Sequence, residues 1–293
     1  LAAAIACCAF TFLLGGGPIE MMLAFIAAGI GNLIRTKLIK HHFTLFLNIA
    51  VSISASCFIY AALLKIAEMA FNVPSIHEAG YICSMLFIIP GFPFITSGID
   101  LAKLDLRSGL ERLAYAIIIV MVATMFAWIM ALLLRLQPMD FEDLNLTPVL
   151  HLILRLIMSF FGVFGFSIMF NSPAPMAATA ALIGSIANSL RLELVDLTGM
   201  PAPAAAFAGA LTAGLLASFI KQNNGYPRIS LTVPSIVIMV PGLYLYRAIY
   251  NFGIMALSDA VSWFASAIMI IIALPLGLIF ARILTDKTFR YCT

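Results

Sequence analysis

Long apolar stretches alternate with short polar or Gly/Pro-rich breaks along the whole chain. A membrane-spanning helix needs about 20 predominantly apolar residues, and most of these stretches approach or exceed that length. The pattern predicts ten helices, approximately at residues 1–15, 18–36, 43–70, 80–99, 113–135, 149–170, 173–191, 202–220, 231–250 and 257–284. The predicted fold is therefore an all-α, polytopic membrane protein.

Two of these predicted helices, the fourth and the ninth, carry a proline-glycine pair near their centre. The first pair is Pro90-Gly91 in LFIIPGFPFITSGID, and the second is Pro241-Gly242 in IVIMVPGLYLYRAIY. Proline removes a backbone donor and clashes with the preceding turn. Polar backbone groups freed within a bilayer must contact protein, water or a ligand. One such pair is more often a simple kink, but two at matched places favour interrupted helices at a substrate site.

The two halves of the chain resemble each other. AFIAAGIGNLIR (24–35) is similar to AALIGSIANSLR (180–191), which aligns Asn32 with Asn188. Because each half contains an odd number of predicted helices, the second half must be inverted in the membrane. Inverted repeats with interrupted helices in corresponding positions are typical of transporters. We predict a first five-helix repeat at 1–135, a polar linker at 136–148 and a second repeat at 149–293.

Composition supports the membrane assignment and excludes other classes. Hydrophobic residues make up 63% of the chain and charged residues 10%, whereas soluble domains carry about 25% charge. The net charge is only +3, and this small excess does not suggest nucleic-acid binding. Five cysteines show no metal-binding spacing and no CxxC pair. We expect no metal and no cofactor.

The distribution of Lys and Arg among the loops predicts the orientation. If the chain starts in the cytoplasm, eleven of the sixteen cations are cytoplasmic: Arg35, Lys37, Lys40, Lys103, Arg107, Arg112, Lys221, Arg228, Arg282, Lys287 and Arg290. We therefore predict an inner or plasma membrane protein with both termini in the cytoplasm. The chain begins with Leu1 inside an apolar run and lacks the basic region of a signal peptide. We expect it to be a fragment whose N-terminal part is missing.

Several segments resemble a known transporter family. AFTFLLGGGPIEMMLAFIAAGIGNLIRTKL resembles the Gly-Gly-containing stretch and following helix of the threonine/serine exporter family. IIPGFPFITSGIDLAKLDLRSGLERLAYA, which contains Asp100, resembles the Pro-Gly segment of that family. FGFSIMFNSPAPMAATAALIGSIANSLR and TVPSIVIMVPGLYLYRAI resemble the C-terminal exporter domain of that family. The order and spacing of these segments cover nearly the whole chain.

This resemblance implies proton-driven export of threonine and serine from the cytoplasm. Some two-component relatives are associated with export of the dicarboxylate succinate, so the resemblance leaves two substrate classes open. The family normally carries a cytoplasmic N-terminal segment of roughly a hundred residues, which this chain lacks. The resemblance leaves the oligomeric state open, and a homo-oligomer remains one alternative.

Both substrate classes contain a carboxylate, which the start of a half-helix can bind through unpaired amides and a partial positive charge. The predicted substrate-binding residues combine these helix starts with nearby polar side chains. They are Pro90, Gly91, Pro241 and Gly242, the hydroxyl of Ser97, the repeat-related Asn32 and Asn188, Asn48 and Ser52, and Arg247. For the two asparagines, hydrogen bonds between helices are an equally good interpretation.

Asn48 and Ser52 belong to a polar stripe at i+4 spacing on the third helix: Thr44, Asn48, Ser52, Ser56 and Tyr60. Hydrogen bonding between helices competes with lining a polar path as the role of this stripe. The eighth helix carries small residues at the same spacing, namely Ala206, Ala210, Gly214 and Ser218. For these small residues, close helix packing is the favoured interpretation.

Ionisable groups within a membrane are costly and are therefore functional candidates. We predict proton coupling through Asp100, with Glu20 and Glu68 as further candidates. Asp100 could instead be an ordinary interfacial acid, and Glu20 could simply complement the dipole of its helix. Glu68 could pair with Lys65. Arg155 could hold a carboxylate or extend toward the membrane surface.

Competing functions receive less support from the sequence. HExxH, GxSxG and phosphate-loop motifs do not occur, so neither an enzyme nor an ATP-driven pump is predicted. A channel would need a continuous polar pore, and a membrane scaffold would bind without transport. The sequence thus predicts a secondary active exporter with a small-molecule substrate, protons and the lipid bilayer as its partners.

Overall fold

The computed structural model describes residues 1–71, 78–136 and 146–290. All ten predicted apolar segments are helical, and no strand occurs within these described ranges. This result confirms the all-α class. Most of the predicted polar linker, residues 136–148, lies outside the described residues.

The helices of the first half follow the predicted segments closely. They are α1 (Ala2–Leu13), α2 (Pro18–Lys40), α3 (Leu45–Phe71), α4 (Glu78–Cys83), α5 (Gly91–Ala102) and α6 (Leu106–Leu134). A short 3₁₀ turn, Leu86–Ile88, separates α4 from α5. We call it the first turn.

The helices of the second half repeat this order. They are α7 (Pro148–Met169), α8 (Ala174–Thr198), α9 (Ala202–Asn224), α10 (Arg228–Ile236), α11 (Gly242–Gly253), α12 (Leu257–Thr285) and the short α13 (Lys287–Arg290). A second 3₁₀ turn, Val237–Met239, separates α10 from α11. We call it the second turn.

Within the described residues, six helices are long and apolar enough to cross a membrane, or eight segments if each bent helix pair is one span. The predicted number was about ten, and the difference lies in α1 and α8. Helix α1 has 12 residues, which cover only about 18 Å. Helix α8 has 25 residues but is less apolar than the spanning helices. The polytopic membrane class is nevertheless confirmed.

Both predicted interruptions are present. The chain bends by 62° between the first turn and α5, and by 42° between the second turn and α11. Before each proline, one residue leaves the helical region, with ψ of 124° at Ile89 and 134° at Val240. After each proline, a helix of 12 residues begins at glycine. The proline-glycine pairs therefore break these helices in the same way.

The repeat continues into the following turn. Leu104 and Met255, which are 151 positions apart, both have a φ of 62°. The amide of Asp105 donates to the carbonyl of Asp100 at 3.1 Å, and Ala256 donates to Asn251 at 2.9 Å. These matched turns lead into α6 and α12, each of 29 residues. Asn251 is therefore the structural counterpart of Asp100.

The chain forms two compact units, each built from both halves of the sequence. Unit 1 comprises Leu1–Ile89, Ile117–Pro148 and Gly242–Phe264, and unit 2 comprises Pro90–Ala116, Val149–Pro241 and Ala265–Thr293. The chain passes from one unit to the other at Pro90 and again at Gly242. The division of the sequence into two inverted repeats remains a prediction.

Small residues allow close helix packing in unit 2. A Cβ built on Gly214 would lie 2.5 Å from the Cβ of Ala281, and one built on Gly277 would lie 2.8 Å from the Cβ of Ala210. Helices α9 and α12 therefore approach each other through glycine and alanine, as membrane helices commonly do. This contact confirms the packing interpretation of the stripe on α9.

Candidate functional site

The two Pro-Gly breaks create two buried helix starts. Pro90, Gly91, Pro241 and Gly242 are all buried. In α5 the amide of Phe94 donates to the carbonyl of Pro90 at 3.2 Å. The amides that precede it in the first turn of a helix have no acceptor within that helix. These helix starts therefore combine hydrogen-bond donors with the positive end of a helix dipole.

Each glycine contacts the turn that precedes the other break. In unit 2, a Cβ built on Gly91 would lie 2.6 Å from Cγ2 of Val237 and 3.2 Å from Cγ2 of Val240. In unit 1, a Cβ built on Gly242 would lie 2.7 Å from Cδ2 of Leu86. Only a residue without a side chain fits such contacts without a shift of its neighbours. We call these two contacts, one within each unit, the reciprocal Pro-Gly packing.

Asn188 is a buried polar group near the second turn in unit 2. Its side chain is 1% exposed, and Nδ2 donates to Oγ of Ser159 on α7 at 2.9 Å. Its Oδ1 has no hydrogen-bond partner among the described residues. A Cβ built on Gly209 would meet both the carbonyl of Ala187 and Sδ of Met239, so this part of α8 lies beside the second turn.

Asn32 occupies the corresponding place in unit 1. Its neighbour Gly31 packs against the first turn, because a Cβ at Gly31 would lie 2.9 Å from Cζ of Phe87. One turn along α2, Nη1 of Arg35 donates to the carbonyl of Phe87 at 3.0 Å. The side chain of Asn32 is half-buried. In each unit, the helix that carries the repeat-related asparagine therefore lies beside a 3₁₀ turn: α2 beside the first turn and α8 beside the second.

Two of the predicted polar residues lie further along α5. Oγ of Ser97 donates to the carbonyl of Phe94 at 2.8 Å, so its proton is used within the helix. Oδ2 of Asp100 lies 2.9 Å from Nη1 of Arg112. The side chain of Asp100 is 18% exposed. A half-buried carboxylate with a cation beside it therefore lies near the end of α5.

Two family models together account for nearly all of the chain. A threonine/serine exporter (ThrE) model matches residues 1–134, and a second model, Threonine/Serine exporter, ThrE, matches residues 155–284. The chain belongs to the threonine/serine exporter family. This finding confirms the family resemblance of the sequence segments.

One curated relative bears on the substrate. The chain is 30% identical over 128 residues to "Probable succinate transporter subunit YjjP" of Escherichia coli (strain K12). The match covers 44% of the chain and 48% of the relative, so the chain spans about half the length of that relative. No solved structure matches the chain significantly.

The polar stripe on α3 faces the interior of unit 1. Asn48, Ser52, Ser56 and Tyr60 are at most 5% exposed, whereas Thr44 is exposed. Oγ of Ser52 donates to Oδ1 of Asn48 at 3.2 Å, and Oγ of Ser56 donates to the carbonyl of Ser84 at 2.7 Å. At Ser56, hydrogen bonding between helices accounts for the polar side chain.

The remaining predicted residues have structural partners or lie elsewhere. Glu20 caps α2, because the amide of Gly17 donates to its Oε2 at 2.8 Å. The guanidinium of Arg247 is 4.8 Å from the centre of the Trp263 ring. Glu68 is half-buried near the C-terminal end of α3. The structure does not bring these three side chains to the reciprocal Pro-Gly packing, and their functional roles remain predictions.

The buried Arg155 in unit 2 holds two carboxylates, in agreement with one of its two predicted roles, although the sequence did not identify those partners. Nη1 of Arg155 on α7 donates to Oε1 of Glu193 on α8 at 2.7 Å, and Nη2 pairs with Asp196. The side chain of Arg155 is 10% exposed. Arg155 therefore does not extend toward the membrane surface. The i,i+3 spacing of Glu193 and Asp196 in an apolar chain was the available signal.

The reciprocal packing predicts the effect of a single methyl group at Gly91. We expect Gly91→Ala to cost about 1–3 kcal/mol, because its Cβ would press on the β-branched, buried Val237. Gly242→Ala should cost less, since the atom it meets is the flexible end of Leu86. Thermal unfolding and substrate counterflow of both variants measure this difference.

A second substitution tests the cause. Val237→Ala removes the methyl group that the new Cβ meets, so Gly91→Ala combined with Val237→Ala should recover part of the loss. Additive losses in the double variant would show that the contact with Val237 is not the reason.

Proposed function

We propose that the protein is a secondary active exporter of small hydroxy amino acids, threonine and serine, driven by protons. Membership of the exporter family supports efflux. The reciprocal packing of two broken helices is the structural observation that carries the proposal, because broken helices supply transporters with their binding groups.

The groups at the breaks fit an amino acid. The positive start of α5 or α11 would bind the carboxylate. The open Oδ1 of Asn188 is an acceptor, which suits the ammonium or the hydroxyl of the substrate. Gly91 and Gly242 let a ligand approach the backbone closely.

A dicarboxylate exporter is the second candidate. The relative in Escherichia coli is named for succinate. The two helix starts are equivalent, since both α5 and α11 begin at a buried glycine after proline. Either helix start would suit a carboxylate of such a substrate.

Asp100 is the proposed proton carrier. It is a half-buried carboxylate at the end of α5 and lies beside a single arginine, Arg112, whose side chain is 51% exposed. The counterpart of Asp100 in the second repeat is Asn251, which donates to the carbonyl of Arg247 at 2.8 Å. Because the amide of Asn251 cannot carry a proton in this way, Asp100 is the titratable member of the pair.

Counterflow in proteoliposomes tests the substrate. Vesicles are preloaded with unlabelled threonine, serine or succinate, and uptake of the same labelled compound is followed. We expect accumulation with threonine and serine. Accumulation with succinate alone would assign the dicarboxylate function instead.

Two controls complete this experiment. Vesicles without protein measure leakage, and Asn188→Leu removes the open acceptor while keeping a similar volume. Absence of counterflow with every compound, both from this chain and from a version extended at its N terminus, would overturn both assignments.

A further inference from the structure

A cavity of about 160 Å³ lies at the ends of three helices in unit 2. Its walls come from the C-terminal end of α5, the first residues of α10 and the last turns of α12, and from Asp286 and Phe289, which follow α12. The cavity could hold about five water molecules by volume. It is separate from the helix starts and has no part in the proposed transport mechanism.

Three cations and one carboxylate line this cavity: Lys103, Arg228, Arg282 and Asp286. Arg228 donates to neutral oxygens, Oγ1 of Thr285 at 3.0 Å and the carbonyl of Gly214 at 3.1 Å. Arg282 lies 3.4 Å from Oδ2 of Asp286. Since the one carboxylate offsets one of the three cations, the cavity has an excess of two positive charges.

The rest of the lining is apolar. Ile99, Leu278 and Phe289 contribute to the wall, and the guanidinium of Arg282 stacks 4.0 Å from the centre of the Phe289 ring. A cavity that combines cations with an apolar wall suits a ligand with both an anionic group and hydrocarbon. A small free anion would use the cations alone.

We propose that this cavity binds the phosphate group of an anionic phospholipid, with the glycerol and the upper acyl chain against the apolar wall. The position at helix ends places the cations where a phospholipid headgroup lies. The loop charges predict this end to be cytoplasmic, and anionic lipids are enriched in the cytoplasmic leaflet. Basic cavities between membrane helices recognise such headgroups.

Native mass spectrometry of the delipidated full chain tests the proposal. Phosphatidylglycerol and phosphatidylcholine are added in turn, and the bound lipid is counted. We expect phosphatidylglycerol to be preferred. Lys103→Gln combined with Arg282→Gln should weaken that preference by roughly fivefold for each cation removed.

Arg107→Gln is the matched control, because Arg107 is 91% exposed and pairs with Glu111 outside the cavity. This variant should keep the full preference. Lys103 is exposed, so Lys103→Gln alone provides a variant that folds even if the double variant does not. An unchanged preference in Lys103→Gln and in the double variant would overturn the proposal.

The source of the anion is tested by competition. Glycerol 3-phosphate and inorganic phosphate are added to the complex with phosphatidylglycerol. Retention of the lipid supports a phospholipid site, whereas displacement by inorganic phosphate at equal concentration would show a site for free phosphate. Displacement by threonine or succinate would instead make the cavity part of the transport path. Both displacements overturn the lipid proposal, and neither depends on measured transport.

Discussion

Asp100→Asn is expected to leave counterflow intact and to abolish the response of transport to a pH gradient. Counterflow exchanges substrate for substrate and needs no net proton movement. For one coupled proton, a gradient of one pH unit drives about tenfold accumulation, and this accumulation should fall to the level of vesicles without a gradient. The measurement is labelled-threonine accumulation at a series of imposed pH gradients.

The structure explains why this variant should fold. Arg112 loses its partner but is half exposed, so water can solvate it, and the lost ion pair contributes little to stability. In the second repeat, Asn251 occupies the same position and bonds to a carbonyl four residues earlier. An asparagine at position 100 has the carbonyl of Thr96 available in the same way.

Asp105→Asn is the matched control for proton coupling. Asp105 lies in the same loop, is exposed, and accepts a hydrogen bond from the amide of Ser108 at 3.3 Å. This variant should keep the full response to the gradient. If Asp100→Asn also keeps it, the proton passes through another group, and Glu20 and Glu68 become the remaining candidates.

Arg155→Gln is expected to destabilise the protein more than any other single substitution considered. It leaves the carboxylates of Glu193 and Asp196 close together without their cation. Removing one partner of a buried ion pair costs about 3–5 kcal/mol. We expect about 3 kcal/mol, the lower end of that range, because Asp196 is 48% exposed. Thermal unfolding in detergent measures the loss.

Two comparisons establish that burial is the cause. Arg107→Gln removes an arginine from the exposed pair with Glu111 and should change the unfolding temperature very little. Arg155→Met combined with Glu193→Gln and Asp196→Asn removes all three charges and should recover much of the loss. Equal effects of Arg155→Gln and Arg107→Gln would contradict the buried cluster.

The two substrate classes differ in the binding groups that they need. An amino acid presents an ammonium group that an acceptor such as Oδ1 of Asn188 can bind, whereas a dicarboxylate has no such donor. Asn188→Leu should therefore impair threonine counterflow more than succinate counterflow. The same variant thus separates the two proposed substrates.

Much of the secondary structure could be predicted because its causes are local. A long apolar stretch in a membrane protein must satisfy its backbone internally, so it becomes helical. Proline and glycine disturb a helix only within about one turn of their own positions. Both interruptions therefore appear at the predicted residues. The number of spans was harder to predict, because α1 is short and α8 carries polar residues along its length.

The candidate site was predicted only in part. The sequence indicated Pro90, Gly91, Pro241 and Gly242, but not that Gly91 packs against Val237 and Gly242 against Leu86. Glu20 was a candidate for proton coupling, with the dipole of α2 as the alternative, and the structure shows that its side chain caps the start of that helix. The spacing of Glu193 and Asp196 marks a pair of acids on α8, but it does not show that they meet Arg155, which is 38 residues from Glu193.

By itself, the sequence determined that the chain lies in a lipid bilayer, that it is helical, that two helices are interrupted and which family it belongs to. These conclusions depend on hydropathy, on backbone chemistry and on the order of short segments, all of which can be read from neighbouring residues. Only the tertiary structure decided which distant residues meet. It showed that both halves contribute to each compact unit, that Arg155 has carboxylate partners, and that Lys103, Arg228 and Arg282 line one cavity. Such contacts depend on how helices pack, and side chains far apart in the chain meet only after the chain has folded.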